Sequence, residues 1–170
     1  MNTTRRCSVL FAAVTLLAAC AGGFGSSQAV GLLVRAEAQP GALPKEGVIG
    51  IADNGAQLFA HARLRGTVSA EASGGAHLPR WVQVSWREGA FEQDEKTAGW
   101  VGGTLVGNYR VEVAARIPPE VIQQARQKDH ALRLTFRLKD DGVLLAWDVL
   151  EWKHSNGINA FVYSLRGGDF

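Results

Sequence analysis

The chain has 170 residues, 46% of them hydrophobic and 20% charged, with 18 Lys and Arg against 16 Asp and Glu and only two cysteines. So even a balance, with no basic cluster and no glycine-rich phosphate loop, leaves no footprint for nucleic acid. The length suits one domain behind a short leader, with apolar residues enough for a core that needs no disulfides.

Residues 1–19 read as a secretory leader. Arg5 and Arg6 form its positive end, and the apolar run from Val9 to Ala18 is shorter than the roughly 20 residues a membrane-spanning helix requires. The run closes on Leu17-Ala18-Ala19-Cys20, which resembles the lipobox of bacterial lipoproteins. The resemblance implies that Cys20 is acylated and becomes the first mature residue. A disulfide would need Cys7, which lies inside the leader, and a reactive thiol would need a histidine or a cationic pocket that the flanking alanines do not supply. Ala21 stands where an aspartate would signal inner-membrane retention, so the resemblance implies an outer-membrane lipoprotein facing the periplasm, with the inner membrane as the other address. Without Arg5 and Arg6 the mature chain is close to neutral. Residues 20–29, rich in Gly, Ser and Ala, read as a flexible tether, and residues 30–170 as a single β-rich domain.

Period-two alternation dominates that domain. "VGLLVRAEA" (30–38) reads as an opening strand, "GVIGI" (47–51) as a short one, and "QLFAHARLRGTV" (57–68) as a loosely alternating one. In "WVQVSWR" (81–87), Val82, Val84 and Trp86 face inward and leave Trp81 beside Gln83, Ser85 and Arg87. Glu92 to Lys96 reads as a polar loop, followed by a glycine-rich connection, Gly99, Gly102, Gly103 and Gly107, around Trp100. "YRVEVAARI" (109–117) alternates again as a strand. Pro118 and Pro119 then open a short helix with Glu120 at its positive end, Arg126 and Lys128 at its negative end, and Val121, Ile122 and Ala125 inward.

The clearest strand is "ALRLTFRL" (131–138), which sets Leu132, Leu134, Phe136 and Leu138 against Arg133, Thr135 and Arg137. Asp141-Gly142 predicts a tight hairpin turn with positive φ at the glycine, so Asp140 reads as a turn residue whose replacement by Asn should matter little. "VLLAWDVLEW" (143–152), apolar on both faces, reads as a central strand with the helix as its second cover. The expected fold is mainly β: an antiparallel β-sandwich-like domain with one short helix.

Catalytic chemistry has no sequence signature. The four histidines, His61, His77, His130 and His154, lack metal-site spacing, and neither a Gly-x-Ser-x-Gly elbow nor a mature cysteine nucleophile occurs. No catalytic residue, metal or cofactor is therefore expected, and the chain reads as a binding protein. Trp81 beside Arg87 has the composition of a binding hot spot, unless the helix or a loop covers the ring. Glu92, Asp94 and Glu95 add an acidic excess suited to a cationic protein surface. Trp81, Arg87, Glu92, Asp94 and Glu95 form the candidate partner interface.

The stretches "LPRWVQVSWREG" (78–89), "RIPPEVIQQA" (116–125) and "LRLTFRLKDDGVLLAW" (132–147) together resemble a group of poorly characterised proteobacterial lipoproteins. Their outline is a leucine-proline before a strand ending in tryptophan, a proline-led helix, and a strand pair closing on Gly-Val-x-x-x-Trp. Some members are encoded beside type VI secretion lipase effectors and act as periplasmic immunity proteins. The resemblance spans residues 78–147 and implies a fold, membrane attachment through the lipid, and a protein partner, either a toxic effector or, in the other reading, an envelope complex that the lipoprotein stabilises. It supplies no catalytic residue.

Overall fold

The computed structural model describes residues 30–72, 77–155 and 158–170; the leader, Cys20 and the tether lie outside the described residues. Nine strands follow in chain order: β1 Leu32–Ala38, β2 Lys45–Ala52, β3 Gln57–Leu64, β4 Thr67–Ala72, β5 Trp81–Gln93, β6 Trp100–Glu112, β7 His130–Leu138, β8 Val143–Ser155 and β9 Ile158–Gly168. A single turn of 3₁₀ helix, Ala114–Arg116, and one α-helix, α1 Pro119–Ala125, separate β6 from β7.

The strands form two sheets, a five-stranded one in the order β4-β1-β7-β8-β9 and a four-stranded one in the order β3-β2-β5-β6. All pairings are antiparallel except β1 with β7, which run parallel from Leu32 opposite Leu132 to Ala38 opposite Leu138. The inner faces follow from alternation: Leu32, Val34 and Ala36 of β1, Leu132, Leu134, Phe136 and Leu138 of β7, and Leu145, Trp147 and Val149 of β8 meet Val48, Phe59, Val82, Val84, Trp86 and Val111 of the other sheet in one core. Phe59 and Phe136 touch between the sheets, ring centroids 5.5 Å apart. Each large side chain so buried contributes about 1.5–3 kcal/mol. The sandwich-like, mainly β domain with one helix is thus the observed fold.

Three glycines sit directly opposite core aromatics: Gly50 with Phe59, Gly107 with Trp86 and Gly167 with Trp147. In each pair the ring lies across the glycine, where a Cβ would come within 2.4 Å of ring atoms at Gly50 and Gly167 and 2.0 Å at Gly107. A glycine in a strand interior is otherwise a weakness; the covering ring restores the lost packing and fixes the register.

Several expectations are corrected. "QLFAHARLRGTV" is two strands in different sheets, β3 and β4, divided at Arg65–Gly66, where the chain crosses the sandwich. The glycine-rich span is not a connection but the first half of β6, and β5 runs on to Gln93, so Glu92 lies in a strand and the turn is confined to Asp94–Gly99. Positive φ at Gly89, Gly102 and Gly103 bends this long hairpin over β2, where Trp100 Nε1–H donates to the Val48 carbonyl at 3.0 Å. β6 ends at Glu112, and Ala114–Arg116 turns away to bury Ile117. The helix stops at Ala125 with no basic residue in its last turn, and it joins the core through Val121 and Ala125 rather than covering the far face of β8. The β7–β8 hairpin forms as expected, but Gly142 has no positive φ: Asp140 and Asp141 make the loop, and a side chain at Gly142 would meet nothing nearer than Lys139 Cε at 3.7 Å.

Candidate functional site

The structure strings the five interface candidates along β5, which holds Trp81, Arg87 and Glu92, and into the turn after it, which holds Asp94 and Glu95, instead of gathering them. Trp81 and Arg87 stand about 20 Å apart at ~3.3 Å per residue. Trp81 is half-buried beneath an arginine from the neighbouring strand, Arg110, whose Cζ lies 4.4 Å from the ring centroid. Arg87 donates from Nη1 to the Gly102 carbonyl at 2.6 Å and so braces the hairpin bend. Asp94 accepts from the Thr97 hydroxyl at 2.6 Å and from the Lys96 N–H at 3.0 Å; the Thr97 bond first and the Lys96 bond second hold its carboxyl below the usual range. Asp94 thereby organises the turn, while the side chains of Glu92 and Glu95 are exposed.

Two other features lie at the β9 end of the five-stranded sheet, where Trp152, Phe161 and Tyr163 share the outer face and Val162 and Leu165, opposite Glu151 and Val149, take the other. The first is its edge strand, β9. Phe161, Val162, Tyr163 and Leu165 are 39–50% exposed, and Trp152 of β8 adds a fifth large apolar side chain at 40%. Trp152 and Phe161 pack edge to face, centroids 4.5 Å apart, where the β8–β9 ribbon runs beyond the end of β7. Natural sheets usually blunt an edge with charge, proline or a bulge; β9 has one irregularity, at Ser164, yet still exposes large apolar side chains along its length.

The second feature is a cleft of about 390 Å³ beside β9. It arises from the register of the sheet. One row across the outer face holds Arg35, Thr135, Ala146 and Gly168, so past Arg35 its side chains are short. The row on one side holds Arg133, Asp148 and Arg166, and the row on the other holds Glu37 and Arg137. Long charged side chains thus wall a trough with a short-residue floor. Arg137 Nε donates to Glu37 Oε1 at 2.6 Å, and Arg133 Nη2 donates to Asp148 Oδ2 at 2.8 Å. Aromatic rings orient the guanidiniums: Phe170 lies 3.5 Å from Arg137 Cζ, and Tyr163 lies 5.0 Å from Arg133 Cζ and 5.7 Å from Arg166 Cζ. The alternation of "ALRLTFRL" places Arg133, Thr135 and Arg137 on one face, but no local signal joins them to Arg35 or Arg166.

Among the described residues no three His, Cys, Asp or Glu side chains converge as metal ligands, and no helix is long and apolar enough to cross a membrane. Set against known proteins, the chain matches no family, no characterised sequence and no solved structure. The likeness of residues 78–147 to the lipoprotein group rests on the quoted stretches alone.

Proposed function

We propose that this is a lipid-anchored periplasmic binding protein of the immunity class, which docks on a secreted toxic effector, of the lipase class, and occludes it. The observation that carries the reading is the β9 edge: an 11-residue strand with one side unpaired and four large apolar side chains exposed along it. Such an edge offers a partner both main-chain hydrogen bonds and side-chain anchors. The Trp152–Phe161 pair is the anchor of hot-spot composition. Attachment through Cys20 would hold the domain at the membrane where such an effector acts, raising its effective concentration there without a further contact.

The test is binding of the full chain, purified in detergent, to the effector encoded beside its gene. Trp152→Ala with Phe161→Ala is expected to weaken binding by about 2 kcal/mol, roughly thirtyfold, and to abolish protection of cells that receive the effector. Both side chains are exposed, so circular dichroism should be unchanged. A matching loss from Trp81→Ala with Arg87→Ala, and none from the β9 pair, would move the interface to β5. Failure of the parent protein to bind or protect would remove the immunity reading.

A further inference from the structure

The cleft beside β9 holds more positive charge than its own carboxylates neutralise. Four arginines, Arg35, Arg133, Arg137 and Arg166, line it against Glu37 and Asp148, a side-chain charge of +2. Each carboxylate is already engaged by one of them, Glu37 by Arg137 and Asp148 by Arg133. Arg35 has only a long contact with Glu37, Nε to Oε2 at 3.6 Å, and Arg166 has no ion pair among the described residues. Two orphans remain in the walls: Arg35 Nε is a buried donor without an acceptor, and Asp148 Oδ1 is a buried acceptor without a donor. Buried polar atoms of this kind cost stability unless something completes them.

We propose that this cleft is a binding site for a hydroxylated phosphate ester of the glycerol phosphate type. A phosphate monoester carries about −1.5 to −2 charges at neutral pH, which matches the uncompensated arginines, and its oxygens accept from guanidinium forks. Arg166 and the terminal nitrogens of Arg35 take the phosphate; Asp148 Oδ1, closed to solvent as it stands, accepts from a neighbouring hydroxyl once the Asp148 side chain turns toward the cleft. The short row at Thr135, Ala146 and Gly168 gives the ester room, and the rings of Tyr163 and Phe170 hold the arginines in place. Inorganic phosphate can offer Asp148 only a hydroxyl on the phosphorus that the arginines hold, whereas the ester carries hydroxyls on carbons beyond it, so the ester should bind more tightly than inorganic phosphate. The phosphate and glycerol hydroxyls occur free in solution as the monoester and, as a diester of single negative charge, on a phosphatidylglycerol headgroup. The site adjoins the proposed docking edge and shares Tyr163 with it, but Arg35 and Arg166, which take the phosphate, are not among the apolar side chains of that edge.

Calorimetry on the full chain in detergent, with glycerol 3-phosphate and with inorganic phosphate as separate titrants, tests it. The expected result is saturable binding of glycerol 3-phosphate, at least tenfold tighter than phosphate, that weakens at least tenfold in Arg166→Gln. Arg166 is exposed, so that variant keeps its fold, and Arg35→Gln provides a second reading wherever its melting curve is unchanged. Co-sedimentation with phosphatidylglycerol vesicles, absent from phosphatidylcholine vesicles and competed by glycerol 3-phosphate, would assign the headgroup as source; binding of the soluble ester alone would assign the free form. No binding of either ester, binding unaffected by Arg166→Gln, or equal affinity for phosphate and its ester would overturn the proposal. Saturation by an acidic peptide with no response to glycerol 3-phosphate would also overturn it, in favour of a protein ligand.

Discussion

Gly107→Ala should lower the melting midpoint by about 10 °C, corresponding to a loss of about 3 kcal/mol for a domain of this size. Trp86 lies across Gly107, and the added methyl carbon would sit 2.0 Å from its ring. The ring cannot move aside cheaply, because Tyr109 stacks on it with centroids 5.2 Å apart and Trp86 itself is 3% exposed. Gly66→Ala is the control: no atom lies within 4 Å of its added carbon and its φ is ordinary, so melting should change by no more than ~0.5 kcal/mol. Tryptophan fluorescence followed through thermal unfolding reads both. Equal melting of the two variants would show that Trp86 does not cover Gly107.

Asp140→Ala should destabilise by about 2 kcal/mol, contrary to what a simple turn residue would do. Lys45 on β2 is a buried lysine, its side chain only 7% exposed, and Asp140 in the β7–β8 turn is its ion-pair partner. The lysine also lies 5.5 Å from the centroid of the Trp86 ring. Removing the carboxylate leaves a buried ammonium with only that ring, a situation that costs 3–5 kcal/mol in fully buried pairs and less here because Asp140 is 61% exposed. Combining Asp140→Ala with Lys45→Met should recover most of the loss, since an apolar side chain of similar length fills the space with no charge to compensate. Urea denaturation of the two single variants and the double variant measures the coupling. A single variant as stable as the parent would break the argument. Because Gly107, Trp86, Lys45 and Asp140 touch in series, their effects should not add.

The parts of this fold that could be read from the chain are those decided within a few residues. β7 was legible because Leu132, Leu134, Phe136 and Leu138 alternate with polar partners on a strand with one wet face. Pro118 and Pro119 marked the helix start through their fixed φ and missing donors. The divide at Arg65–Gly66 was not legible, because alternation says which face a residue takes and nothing about which sheet. The outer half of the β5–β6 hairpin was hidden for another reason: Gly102 and Gly103 look like loop residues, yet they are there to let two paired strands bend. Asp140 looked like turn chemistry because its partner, Lys45, is 95 residues away. The arginine cleft is the extreme case, drawn from four strands whose register only the folded sheet defines.

The parallel pairing of β1 with β7 has a consequence for how the molecule is made. Leu32 meets Leu132, and Glu37 is held by Arg137 across 100 residues of chain. β4, the other neighbour of β1, is near in sequence and can join it early. The opposite edge of β1 must then wait, with its N–H and C=O groups open, until β7 arrives. Closure over so long a stretch is slow, because the entropy of bringing distant segments together is lost before the new contacts form. The five-stranded sheet is therefore expected to assemble as two pieces, a β4–β1 pair from the first half of the chain and a β7–β8–β9 meander from the last third, with their docking as the late step, which pulse-labelled hydrogen exchange during refolding would check. Until that step the half-built domain is exposed to wrong pairing, and a holding chaperone that shields β1 would act on the interval between the two.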